Sequence, residues 1–317
     1  MICDPTVFVI GAGAHMPYGF PSGESLKNAI YRLSADQFHV REGMQDWIDL
    51  HLNELKDMLR KAGTQSIDAF FQHNKKLAEL GRICVAFLIK QYERQSKDSE
   101  VHDWIEWLVD KPLNARLDDF SSNNVAFVTF NYDRFLEHRL MTLLSIRHGE
   151  KYKARAIVRS LPIIHVHGSI GKLAWRDERY GDDALEFGVE TDYSVTCRAS
   201  TSIRFYDEEG FAKEPASHKS DLERAVRLIA AARNVFFLGF SYQKDNLSVL
   251  KWNDLPNGKY VDGTAFGETP GRISRLRQNV FKYERATTDS FERCPTAKDW
   301  TAYDFVKNCE PLLASAE

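Results

Sequence analysis

The sequence predicts an α/β protein: a Rossmann-like open parallel sheet with helices on both faces and an inserted helical subdomain. Three observations carry this. Short apolar runs, Thr6–Ile10, Val125–Val128 and Asn234–Leu238, read as strands buried on both faces. Segments of helical spacing alternate with them, the pattern of a parallel sheet with right-handed crossovers. Small or polar residues follow each run, at the strand ends where open α/β sheets gather ligands.

The first strand, T-V-F-V-I at Thr6–Ile10, runs into the Gly- and Pro-rich stretch Gly11–Gly23, a loop by composition. Glycines there allow close approach to a phosphate. Ser22 is placed to cap a helix starting near Glu24. The dinucleotide fingerprint G-x-G-x-x-G is broken, because Met16 stands where its third glycine belongs. Residues 25–118 show only helical spacing, through Trp47, Leu55, Phe70, Leu80, Leu88 and Trp104. They read as an insertion; residues 1–24 and 119–317 carry the sheet.

Val125–Glu137 is the central stretch: a strand, then Asn131 and Asp133, then a helix carrying Leu136, Leu140, Leu143 and Leu144. Asp133 is equally placed to cap that helix. Leu161–Val166 reads as a third strand ending in His167-Gly168-Ser169, with His165 and His167 on one side of it. Residues 171–216 are polar and mixed, and read as loops and short pieces. Ser220-Asp221-Leu222-Glu223 is a capping-box pattern ahead of a helix. The strand Asn234–Leu238 ends in Gly239-Phe240-Ser241-Tyr242, with Asp245-Asn246 ahead of the next helix. Lys259–Phe266 reads as a fifth strand and Arg272–Asn279 as a helix. A short strand at Val280–Tyr283 and a helix over Trp300–Leu312 complete the chain.

A net charge of -3 gives no general attraction to nucleic acid or anionic membrane. The cluster Lys151, Lys153, Arg155 and Arg159 reads as a solvated face. The five cysteines form no C-x-x-C pair, which excludes a zinc ribbon and a dithiol motif. No signal peptide or membrane-length apolar run is visible, so a reduced, cytoplasmic setting is expected.

Taken in order, the strand-end motifs resemble the sirtuin-like NAD-consuming family, in its prokaryotic anti-phage defence branch. The matching words are Gly11-Ala12-Gly13, Gly19-Phe20-Pro21-Ser22, Thr129 to Asp133, Val166 to Ser169, and Gly239 to Asn246. The likeness covers the sheet, not the insertion or residues 171–216. It implies that Gly11, Ala12 and Gly13 wrap the NAD diphosphate, and that Pro21 and Ser22 cover the nicotinamide and its ribose. It further implies that Asn131 contacts that ribose and positions a water, that Asp133 holds the carboxamide, and that His167 is the catalytic histidine. Gly168 and Ser169 belong to the same nucleotide-binding set, and Gly239, Ser241 and Asn246 resemble the loop on the adenosine side.

The deacylase branch carries a four-cysteine zinc module, and this sequence lacks it. Water is therefore the expected nucleophile, giving NAD+ hydrolysis with no zinc and no cofactor beyond NAD+ as substrate. The resemblance also implies abortive-infection defence, homo-oligomerisation, and a protein activator or a defence partner of ATPase, nuclease or Argonaute type. Two other readings stand beside hydrolysis: a non-catalytic NAD- or ADP-ribose-binding regulatory subunit, and an ADP-ribosyltransferase. Asn131 and His167 together speak against a pure binder, and the broken fingerprint against an oxidoreductase.

Overall fold

A computed structural model describes residues 1–40, 42–63, 67–96, 103–113, 116–176, 184–190, 192–205, 216–256, 258–280, 300–309 and 312. The chain is α/β. Five parallel strands form its main sheet: β1 (Thr6–Ile10), β2 (Val125–Thr129), β3 (Ile163–His165), β6 (Asn234–Leu238) and β7 (Tyr260–Gly263), in the order β3-β2-β1-β6-β7. A second, two-stranded parallel sheet pairs β4 (Lys172–Leu173) with β5 (Ala184–Leu185).

β1 lies at the centre because its β-branched and aromatic residues suit burial on both faces. Thr6 pairs with Val125 on one side and Asn234 on the other. The same register sets Phe8 between Phe127 and Phe236, each with ring centroids 5.5 Å from its own. Alternation then divides the sheet into two faces. Phe8, Ile10, Phe127 and Leu238 enter one core, with α5 (Trp104–Asp110), α6 (Phe135–His148), α7 (Lys151–Ser160) and α12 (Ala302–Asn308). Val7, Val9, Val128 and Phe237 enter the other, with α9 (Ala216–Ala231) and α11 (Pro270–Asn279). Each such side chain contributes about 1.5–3 kcal/mol relative to its exposed state.

The described part of residues 25–118 contains helices and no strand. α1 (Gly23–Arg32), α2 (Glu42–Ala62), α3 (Ile67–His73) and α4 (Ala78–Gln95) share a separate core, which also takes in Ala199 of α8 (Tyr193–Ser200) and Ile203 beyond it. α5 instead buries Trp104, Ile105 and Leu108 against the sheet's own helix layer. Among the described residues no helix is long and apolar enough to cross a membrane.

Several boundaries differ from the sequence reading for local reasons. β3 starts after Pro162, which has no amide to give to a ladder; its carbonyl still accepts from Phe127 N–H at 2.8 Å. Ser220 caps nothing, because α9 begins four residues earlier at Ala216. Asp245 and Asn246 lie inside α10 (Lys244–Val249) rather than ahead of it, with Asp245 in the first turn, where its charge suits the helix dipole. β7 is shorter than expected, although Thr264 N–H still reaches Phe237 carbonyl at 2.8 Å. Of the expected strand Val280–Tyr283, residues 281–283 lie outside the described residues.

Candidate functional site

The strand order places the carboxyl ends of β3, β2, β1 and β6 side by side. Succession runs outward from β1 through β2 to β3, then restarts at β6 on its other side. The reversal between β1 and β6 is the switch point where open sheets bind ligands. Here two glycine turns meet. Gly11 N–H donates to Leu238 carbonyl at 2.9 Å and Gly13 N–H to Gly239 carbonyl at 3.0 Å. Those two amides are therefore engaged with the end of β6 and the turn after it rather than directed at a phosphate. Gly239 has a φ of +57°, and a Cβ on it would lie 1.9 Å from Ala14 N. Backbone would meet backbone, so Gly239→Ala is expected to lower stability by about 2–4 kcal/mol, from left-handed strain and overpacking together. Urea unfolding measures this.

Asn131, Asp133 and a residue that the motif reading left aside, His15, meet at the next strand end. Asn131 N–H donates to Thr129 Oγ1 at 3.1 Å, and its Nδ2 donates to Gly11 carbonyl at 3.3 Å. The same Nδ2 lies 3.1 Å from His15 Nδ1. Asp133 Oδ1 accepts from Phe135 N–H at 3.0 Å and lies 2.8 Å from His15 Nδ1. A carboxylate only accepts, so the hydrogen-bond network assigns a hydrogen to Nδ1. Asp133, one residue ahead of the N-cap Arg134, thus both satisfies the first amide of α6 and orients His15. Two atoms of this cluster, His15 Nε2 and Asn131 Oδ1, are buried with no hydrogen-bond partner among the described residues.

Aromatic rings enclose His15: Tyr18, Phe20, Trp104 and Phe135, with centroids 6.3, 5.8, 6.4 and 5.5 Å away. Polar contacts pin this wall. Trp104 Nε1–H donates to Ala14 carbonyl at 2.9 Å, and Tyr18 hydroxyl to Asp103 Oδ1 at 2.6 Å. Arg139 Nε donates to Asp103 Oδ2 at 2.8 Å. Burial, reinforced by Asp103, pushes the Tyr18 hydroxyl far above its ordinary value, which keeps it a donor.

His165 supports the turn from below. Its Nδ1 lies 2.9 Å from Asn131 carbonyl and its Nε2 2.9 Å from Glu137 Oε1. Both neighbours are acceptors, so both ring nitrogens donate and His165 is an imidazolium. Burial alone would lower its pKa, but the Glu137 carboxylate and the Asn131 carbonyl raise it above the ordinary value. Burial alone would likewise raise Glu137, but His165 and Arg176 outweigh it and draw Glu137 down to about 2. The raised base stabilises the fold below its unfolded pKa and ceases to as pH climbs through its folded value. The lowered acid stabilises above the ordinary carboxylate range and ceases to as pH falls towards about 2. The stability difference between the chain and His165→Asn is therefore expected to be greatest between these limits. It should shrink on both sides, as read by denaturant unfolding across pH.

His167 is buried one strand over, its ring edge-on to Phe130 at 5.3 Å and 6.2 Å from Tyr132. β3 ends at His165, so strand alternation does not extend to His167, and the two histidines meet different neighbours, contrary to expectation. Gly168 has a φ of +69°, and a Cβ there would lie 1.8 Å from Ser202 carbonyl. Ser169 Oγ donates within its own turn, to Gly171 carbonyl at 2.9 Å. Tyr132 hydroxyl donates to Asp68, tying the site to α3.

The structure thus brings Gly11, Asn131 and Asp133 together around His15 and sets His167 on the neighbouring strand end. Ser22 caps α1, accepting from Ser25 N–H at 3.1 Å, as its position predicts. Among the described residues no hydrogen bond joins Pro21, Ser22, Ser241 or Asn246 to the cluster. Ser241 instead gives its carbonyl to Arg272 Nη2 at 3.0 Å. Beside it lies a groove of about 500 Å³ lined by Tyr242, Lys244, Trp252, Arg272 and Arg275. Among the described residues no group of three His, Cys, Asp or Glu could hold a metal ion. One sequence signal could have found His15: it is the only histidine in the glycine loop between β1 and α1. Compared with protein-family models and with curated proteins, the chain matches none.

Proposed function

We propose that the chain is an NAD+ glycohydrolase, cleaving NAD+ with water to nicotinamide, ADP-ribose and a proton. One observation carries this: at adjacent carboxyl ends of a parallel sheet, buried Asn131 keeps an Oδ1 with no partner among the described residues, and buried His167 stands on the next strand end. Breaking the bond from the anomeric carbon to the pyridine nitrogen releases neutral nicotinamide and leaves an oxocarbenium-like ribose. Asn131 orients the attacking water through its amide. His167 takes the proton from that water or from a ribose hydroxyl. Phe20, Phe130 and Tyr132, all buried, keep bulk water away. The groove beside Ser241, with Lys244, Arg272 and Arg275, suits the adenosine half and its phosphates.

The sirtuin-like resemblance extends the proposal to depletion of cellular NAD+ in anti-phage defence. In that setting the enzyme is cytoplasmic and oligomeric, and a protein partner activates it. A regulatory NAD- or ADP-ribose-binding subunit is the second reading. It is favoured by the engagement of the Gly11 and Gly13 amides with the end of β6 and the turn after it. Chromatography of NAD+ incubated with the chain, alone and with co-encoded proteins, separates the readings. Hydrolysis yields equal nicotinamide and free ADP-ribose. Nicotinamide with labelled macromolecule makes the chain a transferase. NAD+ bound but intact under every condition makes it a binder and defeats the proposal.

A further inference from the structure

We propose that His15 Nε2 is the group that recognises the amide of the leaving nicotinamide, with Asp133 behind it as a positioning residue. The proposal rests on the NAD+ reading above but changes the assignment within it. The family resemblance gives the carboxamide to Asp133. In the structure Asp133 Oδ1 already serves His15 Nδ1 at 2.8 Å and Phe135 N–H at 3.0 Å. With Nδ1 committed, Nε2 is the one hydrogen-bonding atom the ring has left.

That atom is buried and has no partner among the described residues. A buried polar atom without a partner loses its hydration and gains nothing, so an orphan at a candidate site calls for a ligand group. The second orphan, Asn131 Oδ1, belongs to the same cluster, whose amide nitrogen lies 3.1 Å from His15 Nδ1. The surroundings specify the ligand further. Tyr18, Phe20, Trp104 and Phe135 frame the imidazole with flat apolar surfaces, which suit a planar heteroaromatic ring, while Nε2 suits its amide.

Two substitutions separate the ring's two nitrogens. An asparagine amide can replace Nδ1 and hold Asp133 but offers nothing at Nε2; a glutamine amide does the reverse. Calorimetry with nicotinamide and with NAD+ is the test, alongside thermal unfolding. His15→Asn is expected to unfold at the parent's temperature yet bind both ligands about tenfold more weakly or worse. His15→Gln is expected to lose stability and retain more of the binding. In a spectrum of the parent labelled with 15N-histidine, the His15 Nε2 resonance is expected to move on adding nicotinamide. This readout stands even if a variant fails to fold. Parent-like binding by His15→Asn, or an unmoved Nε2 resonance in a parent that binds NAD+, overturns this proposal and leaves the NAD+ reading standing. A parent that binds neither NAD+ nor nicotinamide overturns both.

Discussion

Glu93→Ala is expected to cost the fold about 3–5 kcal/mol, the usual effect of removing one partner of a buried ion pair. Arg134 and Glu93 are among the least exposed charged side chains of the molecule, at 1% and 0%. Glu93 Oε2 accepts from Arg134 Nη2 at 2.6 Å, and Oε1 accepts from Arg134 Nε at 3.0 Å and from its backbone N–H at 3.1 Å. The guanidinium also reaches Leu185 carbonyl at 2.9 Å and Glu186 carbonyl at 3.3 Å. One residue thereby joins α4, the start of α6 and the small sheet. Without Glu93 the guanidinium keeps only carbonyl partners. Lys90, drawn down to about 8 by burial and by the charge of Arg134, would lose the carboxylate that opposes this shift. Replacing Glu93 and Arg134 together by leucine and methionine is expected to cost much less than Glu93→Ala, because no uncompensated charge remains. Guanidinium unfolding of the three chains checks both statements.

Asn131→Ala is expected to reduce nicotinamide release from NAD+ at least about 100-fold, the low end for loss of a positioned acid–base or water-orienting group. The side chain leaves only its bond to Gly11 carbonyl, at 3.3 Å, so the fold should persist. His167→Ala is expected to fall in the same range. A single-turnover assay, with thermal unfolding run beside it, separates lost chemistry from lost structure. Parent-like rates in both variants would place the chemistry elsewhere.

The sheet was legible because its strands announce themselves. V-F-V-I, V-A-F-V and N-V-F-F-L are each too apolar for one-sided burial, and β1 and β6 fall where the residues put them. The cluster at the strand ends was half legible. Asn131 and Asp133 stand out because a polar pair follows a buried run. His15 was obscured because a glycine-rich loop reads as backbone, although here it folds into short 3-10 turns that carry the imidazole to Asp133. The Arg134–Glu93 pair was not legible at all: it joins residues 41 apart in sequence. The dual donation by His165 depends likewise on Glu137 of another element, which no local pattern encodes.

The most direct test of the central claim is a crystal structure of the Asn131→Ala chain with NAD+. An intact dinucleotide is expected across the carboxyl ends of β3, β2, β1 and β6. Its anomeric carbon should lie beside residue 131 and within reach of His167, and its nicotinamide against the ring of His15. Density confined to the groove of Trp252 and Arg275, or none at the strand ends at saturating NAD+, would contradict it.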